Sequence, residues 1–225
     1  MDRYFSSKGF PIAFWLLLSS ALLLISVISL GFAVNHGYFR SFDLAISHAL
    51  NMQRGVTPEW LILFMQGVSW IGGGVQRYVI VTILTLALWR WWGWGAALAM
   101  GLTTLVSAFT SDVMKALFGR VRPDLVPQLD IIHSPAFPSG HSNNAAVVYI
   151  LFIMLVPQAR HPLWQAAAAI MIVLTGLSRI MLGVHWPTDV VGGWMLGAAF
   201  ALAAAAVIAH RRHQRTAHFP SVLSP

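Results

Sequence analysis

AFWLLLSSALLLISVISLGFAV, residues 13–34, contains no charged side chain. Its 22 residues reach about 33 Å at the helical rise, enough for a bilayer hydrocarbon core of about 30 Å. The stretch is longer than a signal-peptide core of roughly 7–15 residues, and the Asn35-His36 pair that follows is not a small-residue cleavage site. It reads as a retained transmembrane helix.

The rest of the chain agrees. Hydrophobic residues make up 57% and charged residues 9% of the 225, whereas a soluble domain carries roughly 25% charged residues. Mean hydropathy is positive. The expected fold is an all-α polytopic membrane bundle of six transmembrane helices, over 13–34, 75–89, 96–118, 143–156, 163–184 and 190–209. The apolar runs are helical in length and lack the alternation of a membrane β-barrel. Residues 40–54 read as an interfacial helix, with Phe42, Ile46, Ala49 and Leu50 at helical spacing. Residues 60–71 are too short to span and read as interfacial or re-entrant, with Thr57-Pro58-Glu59 as their capping start. Trp89, Trp91, Trp92 and Trp94 form an interfacial aromatic belt. The chain is expected to form one domain, 1–225.

The net charge is +7. Its basic residues are scattered between apolar runs, which fits a lipid surface and membrane topology rather than nucleic acid. Cysteine is absent, which excludes disulfides, thiol catalysis and cysteine metal sites. With six spans both termini share one side. Arg3, Lys8, Arg90, Arg160, Arg211, Arg212 and Arg215 fall on that side. Arg40, Arg54, Arg77, Lys115, Arg120, Arg122 and Arg179 fall on the other. The raw count is even. Setting aside Lys115, Arg122 and Arg179 as functional puts the termini in the cytoplasm.

Ionisable residues at membrane depth are costly and default to a functional reading. Lys115, Arg122, Ser139, His141, Arg179, His185 and Asp189 all fall at span ends on one membrane face. Two arginines and a lysine suit a tetrahedral phosphate. Ser139 and Gly140 open a helix, whose free N–H groups favour an anion. Two histidines can serve as nucleophile and proton donor. Asp189, four residues after His185, can orient that imidazole. No carboxylate group suits Mg²⁺, so neither metal nor cofactor is expected, and the cations take over charge neutralisation.

Lys115-x₆-Arg122-Pro123, Pro138-Ser139-Gly140-His141 and Ser178-Arg179-x₅-His185-x₃-Asp189 resemble the three-part signature of the type 2 phosphatidic acid phosphatase superfamily, with the core at 115–189. That family includes membrane lipid phosphatases and soluble vanadium haloperoxidases. The resemblance implies that His185 attacks phosphorus to form a phosphohistidine, that Asp189 orients it, and that His141 protonates the leaving oxygen. It also implies that Lys115, Arg122, Ser139, Gly140 and Arg179 hold the phosphoryl oxygens without a metal. Ser178 is a supporting position. Arg120, inside the first motif, reads equally as a loop charge or a headgroup contact. Asn143 and Asn144 read as structural.

The expected partners are a lipid phosphate and the bilayer, with no obligate protein partner. The expected place is a bacterial inner membrane with the site on the periplasmic face. Undecaprenyl diphosphate, phosphatidylglycerol phosphate and phosphatidic acid all fit as substrates. The alternatives are a lipid A phosphatase, lipid-to-lipid phosphotransfer and an anion transporter. A transporter would need polar residues through the bundle, whereas these lie at one face.

Overall fold

The structure is a computed structural model that describes residues 11–218, all helix and connection. Arg3 and Lys8, used above for orientation, lie outside the described residues. The helices are α1 (Ile12–Asn35), α2 (Arg40–Leu50), α3 (Glu59–Gly72), α4 (Gly74–Trp92), α5 (Trp94–Phe118), α6 (Gly140–Leu155), α7 (Pro162–Met181) and α8 (Pro187–His218), with a 3₁₀ turn at Pro157–Arg160.

Each expected span coincides with a helix. By length and composition α1, α5, α7 and α8 can each cross a membrane alone. The α3–α4 pair qualifies only jointly and bends by 54° at its break. That bend is where Gly72, Gly73 and Gly74 interrupt the apolar sequence. Helix α6 has 16 residues and is the innermost element, packed by α5, α7 and α8. Its Val147, Val148, Leu151 and Leu155 join Leu88, Met100 and Ala201 in the main apolar core.

Burial is distributed as a lipid solvent requires. Leu22, Ile25, Phe32, Leu105 and Phe109 face outward, while Ser107, Ser111, Thr175 and Ser178 are buried. Small residues let the central helices approach closely. A Cβ at Gly193 or Gly197 of α8 would run into the α6 backbone at Ser139 O and Asn143 O. Ser107 and Asn143 exchange two hydrogen bonds between α5 and α6, at 2.8 and 3.3 Å.

Helix ends follow local chemistry. Gly119 takes a left-handed φ of 56° and closes α5 by donating to Lys115 O at 3.0 Å. The Asn35 amide at the end of α1 donates to Phe118 O at 2.7 Å, which ties two helix termini together. The expected cap at Thr57 is corrected. Pro58, at ψ 130°, is the residue before α3, and the Thr57 hydroxyl instead accepts from Gln53 N at 3.1 Å. Helix α2 ends at Leu50 rather than 54, and its buried residues are Asp43 and Ser47. Its apolar Phe42 is exposed, so an interfacial helix turns its polar face inward.

Candidate active site

All eight residues expected to act on phosphate lie at one end of the bundle. Lys115 is in the last turn of α5 and Arg122 in the loop beyond. Ser139 is the N-cap of α6, with Gly140 and His141 in its first turn. Arg179 is in the last turn of α7, His185 in the α7–α8 turn, and Asp189 in the first turn of α8.

Backbone bonds fix these positions relative to one another. Ser139 N donates to Asp189 O at 2.9 Å, and the amides of Val184 and His185 both donate to Arg179 O at 3.2 Å. Lys115 Nζ and Arg122 Nη2 both donate to Pro135 O, at 2.9 and 3.3 Å. Arg122 also donates to Val184 O at 2.5 Å and Ser134 O at 2.8 Å. A Cβ on Gly140 would lie 3.9 Å from Lys115 Cε, an ordinary contact, which places the lysine stem beside the amides that open α6.

His185 is held at both ring nitrogens. Arg122 Nη1 lies 3.1 Å from Nε2, and a guanidinium can only donate, so Nε2 accepts. Nδ1 then carries the hydrogen and donates to Asp189 Oδ2 at 3.3 Å. The same carboxylate oxygen accepts from Trp186 N at 2.8 Å, the reach-back bond of a capping box. Asp189 therefore caps α8 and orients His185 together. Burial, then the charges of Arg122, Lys115 and Arg179, hold the His185 pKa well below the ordinary histidine value. The imidazole stays neutral, and its Nε2 lone pair, which accepts from Arg122 here, is free to attack only once that guanidinium turns to another acceptor. Burial and the charge of Arg179 bring Arg122 down to about 10, which leaves it charged at neutral pH.

Arg179 is completely buried. Its Nη1 donates to Ser69 Oγ and, at 2.7 Å, to Asp130 Oδ2. Its Nε and Nη2 are buried with no protein acceptor. A buried charged donor left unpaired is expensive, and two N–H groups on one guanidinium edge match the geometry of a phosphoryl group.

His141 packs over Gly73, where a Cβ would overlap the imidazole. It lines a cavity of about 500 Å³ together with Ser69, Gly73, Asp130 and Ile132. The break between α3 and α4 thus serves the site by admitting the ring. The Ser178 hydroxyl bonds Thr175 O within α7 at 2.7 Å and supports only its own helix.

Sequence reasoning missed a layer of partners. Arg120 is neither a loop charge nor a headgroup contact. It is ion-paired to Asp189, and to Asp43 at 2.6 Å. Asp43 also accepts from Thr188 N at 3.0 Å and the Thr188 hydroxyl at 2.7 Å. Asp130 and Ser69 likewise hold Arg179. The visible signals were the position of Arg120 inside the first motif and the acid on α2. Their pairing is long-range and has no mark in the local pattern.

Comparison with known proteins places this arrangement. Residues 92–213 match the PAP2 superfamily. Phosphatidylglycerophosphatase B of Bacillus subtilis is 33% identical over 183 residues, covering 78% of this chain and 87% of that protein. Undecaprenyl-diphosphatase of Sulfolobus acidocaldarius is 26% identical over 191 residues, covering 82% and 85%. The crystal structure of a transmembrane PAP2 type phosphatidylglycerolphosphate phosphatase from Bacillus subtilis superposes with a TM-score of 0.74 at 27% identity, covering 90% of this chain and 99% of that one. The matched family region contains all eight residues and Arg120, but neither Asp43 nor Arg77.

Proposed function

This chain belongs to the PAP2 superfamily and is one of its membrane lipid phosphatases, and on that footing we propose that it removes the terminal phosphoryl group of a lipid phosphate or diphosphate through His185. The observation that carries this reading is the buried Arg179 edge without a protein partner, next to a neutral His185 held by Asp189 and Arg122.

In the first step His185 Nε2 forms a bond to phosphorus while the bond from phosphorus to the lipid oxygen breaks. His141 gives that oxygen its proton. Arg179, Arg122, Lys115 and the Ser139–Gly140 amides hold the phosphoryl oxygens, where charge on the transferred group needs compensation. In the second step water attacks phosphorus, its proton passes to His141, and the nitrogen–phosphorus bond breaks to release phosphate. The cations do the neutralising that a metal would otherwise do. The whole chain acts as one domain with its catalytic core at 115–189.

Undecaprenyl diphosphate and phosphatidylglycerol phosphate are the favoured substrates, since relatives named for each cover most of the chain. The chain works in a bacterial inner membrane, with cytoplasmic termini and the site on the periplasmic face.

The test is phosphate release in detergent from both lipids, with and without chelator, by the parent protein and His185→Ala. The parent is expected to be active and chelator-insensitive, to form an acid-labile, alkali-stable phosphoenzyme, and to lose both properties with His185. Full activity in His185→Ala would overturn the reading. Label recovered in a second lipid rather than in inorganic phosphate would reassign the enzyme as a phosphotransferase.

A further inference from the structure

We propose that Arg77, with Asn144 beside it, is a specificity-determining residue that binds the second phosphate of a lipid diphosphate. This rests on the phosphatase reading above and says which member of that substrate class the site favours.

Arg77 lies outside the three-part signature, yet it reaches the site. Its backbone N–H donates to Gly73 O at 3.2 Å, one turn from the glycine on which His141 packs. Its Nη1 lies 3.7 Å from where a Gly140 Cβ would be, and Lys115 Cε lies 3.9 Å from the same point. Arg77 and Lys115 therefore flank the start of α6 from α4 and from α5.

The guanidinium is committed to little else. Its Nη2 donates to the Tyr78 hydroxyl at 2.5 Å, and its central carbon sits 4.6 Å from the centre of the Tyr78 ring. Its Nε is buried without a partner, and no carboxylate pairs with it among the described residues. Tyr78 thus fixes one edge of the group and leaves the rest for an acceptor. Asn144, one turn after Gly140, shares a cleft of about 280 Å³ with Arg77, Thr85 and Thr104 between α4 and α5. The Thr85 hydroxyl there is also buried and unpartnered. The remaining lining is largely apolar, so these polar groups sit where a bilayer-facing cleft would otherwise have none.

The chemistry separates two substrate types. Arg179, Arg122 and Lys115 serve the phosphoryl group that is transferred. The leaving group lies on the His141 side, because His141 protonates its oxygen. With a monoester the leaving group is a neutral alcohol and needs no cation. With a diphosphate the bridging bond breaks, the bridging oxygen takes the proton, and the departing lipid monophosphate keeps charge on its non-bridging oxygens. Arg77 flanks Gly140, the residue before His141, within reach of oxygens leaving on that side, and a guanidinium edge can take two of them.

The test uses purified full-length protein with two probes sharing one tail, farnesyl diphosphate and farnesyl monophosphate. The readout is the ratio of kcat/KM for the first over the second. Arg77→Gln is expected to lower that ratio about 10- to 100-fold, the worth of a charge-assisted hydrogen bond or two. Arg77→Lys should recover part of it, and Asn144→Ala should lower it less. A ratio unchanged in Arg77→Gln overturns the proposal, whether both activities persist or both fall together. Parent protein that releases phosphate from neither these probes nor the two lipids named above overturns the phosphatase reading itself, and this proposal with it.

Discussion

Arg120 is ion-paired to Asp189, the carboxylate that also holds His185 Nδ1. The orientation of the His185 imidazole is therefore supported by a residue with no direct contact to it. Asp43, on an interfacial helix, completes the chain from the other side.

Arg120→Ala should lower kcat by about 10- to 100-fold with little change in KM, since a small misplacement of a reacting group costs that much. Arg120→Lys should recover part of the loss. Asp43→Asn should reproduce the kcat effect in weaker form. A change confined to KM would mean that Arg120 meets the substrate rather than positioning His185.

Removing Arg122 should move the acid limb of the kcat/KM profile. Burial and then Arg122 are the leading causes that hold His185 below its ordinary range. Loss of that cation lets the His185 pKa rise, so this proposed nucleophile protonates at a higher pH on the way down. Arg122→Gln should therefore lose activity at higher pH than the parent, measured on one substrate so that the substrate's own ionisation cancels. An unmoved or lower limb would contradict the electrostatic assignment.

Vanadate should inhibit competitively, because it is tetrahedral and anionic like the phosphoryl group. Arg179→Lys should weaken that inhibition by at least about tenfold, since an ammonium cannot present the two-pronged edge that a guanidinium offers. Inhibition of equal strength in the variant would place the anion elsewhere.

The α6–α8 contact should be intolerant of one added methyl. Gly197→Ala would push Cβ into Asn143 O and Ala146, an overpacking expected to cost about 1–3 kcal/mol. Gly101→Ala is the contrast. Its Cβ would meet Thr85 Cγ2 at an ordinary 3.5 Å, and helix propensity favours alanine. Melting midpoints in detergent should fall for the first variant and hold or rise for the second.

Since the chain contains no cysteine, an introduced one reports topology without background. Ile131 lies on the active-site side in the α5–α6 loop and is 83% exposed. Ile131→Cys in intact spheroplasts should react with a membrane-impermeant maleimide. Labelling only after lysis would invert the proposed orientation.

The placement of the eight residues was legible in the sequence because the bilayer makes it so. Charges such as Arg179 and Asp189 stand out against apolar runs, and counting spans assigns each to a face. The helix positions were legible for the same reason. The second layer was not. Arg120 and Asp43 are 77 positions apart, and neither is unusual in its own neighbourhood. Thr57 was misread because Ser or Thr before proline and glutamate looks like a cap, while the geometry of Pro58 directs that hydroxyl into a turn. Asn144 read as merely structural because its surroundings come from α4 and α5.

The bond from Ser139 N to Asp189 O joins the residue that opens α6 to one in the first turn of α8, and the glycine-lined contact between those helices allows no slack. The amides that open α6 and the Asp189 carboxylate that holds His185 consequently move as one piece. That pairing is written into the backbone and needs no bound anion to form.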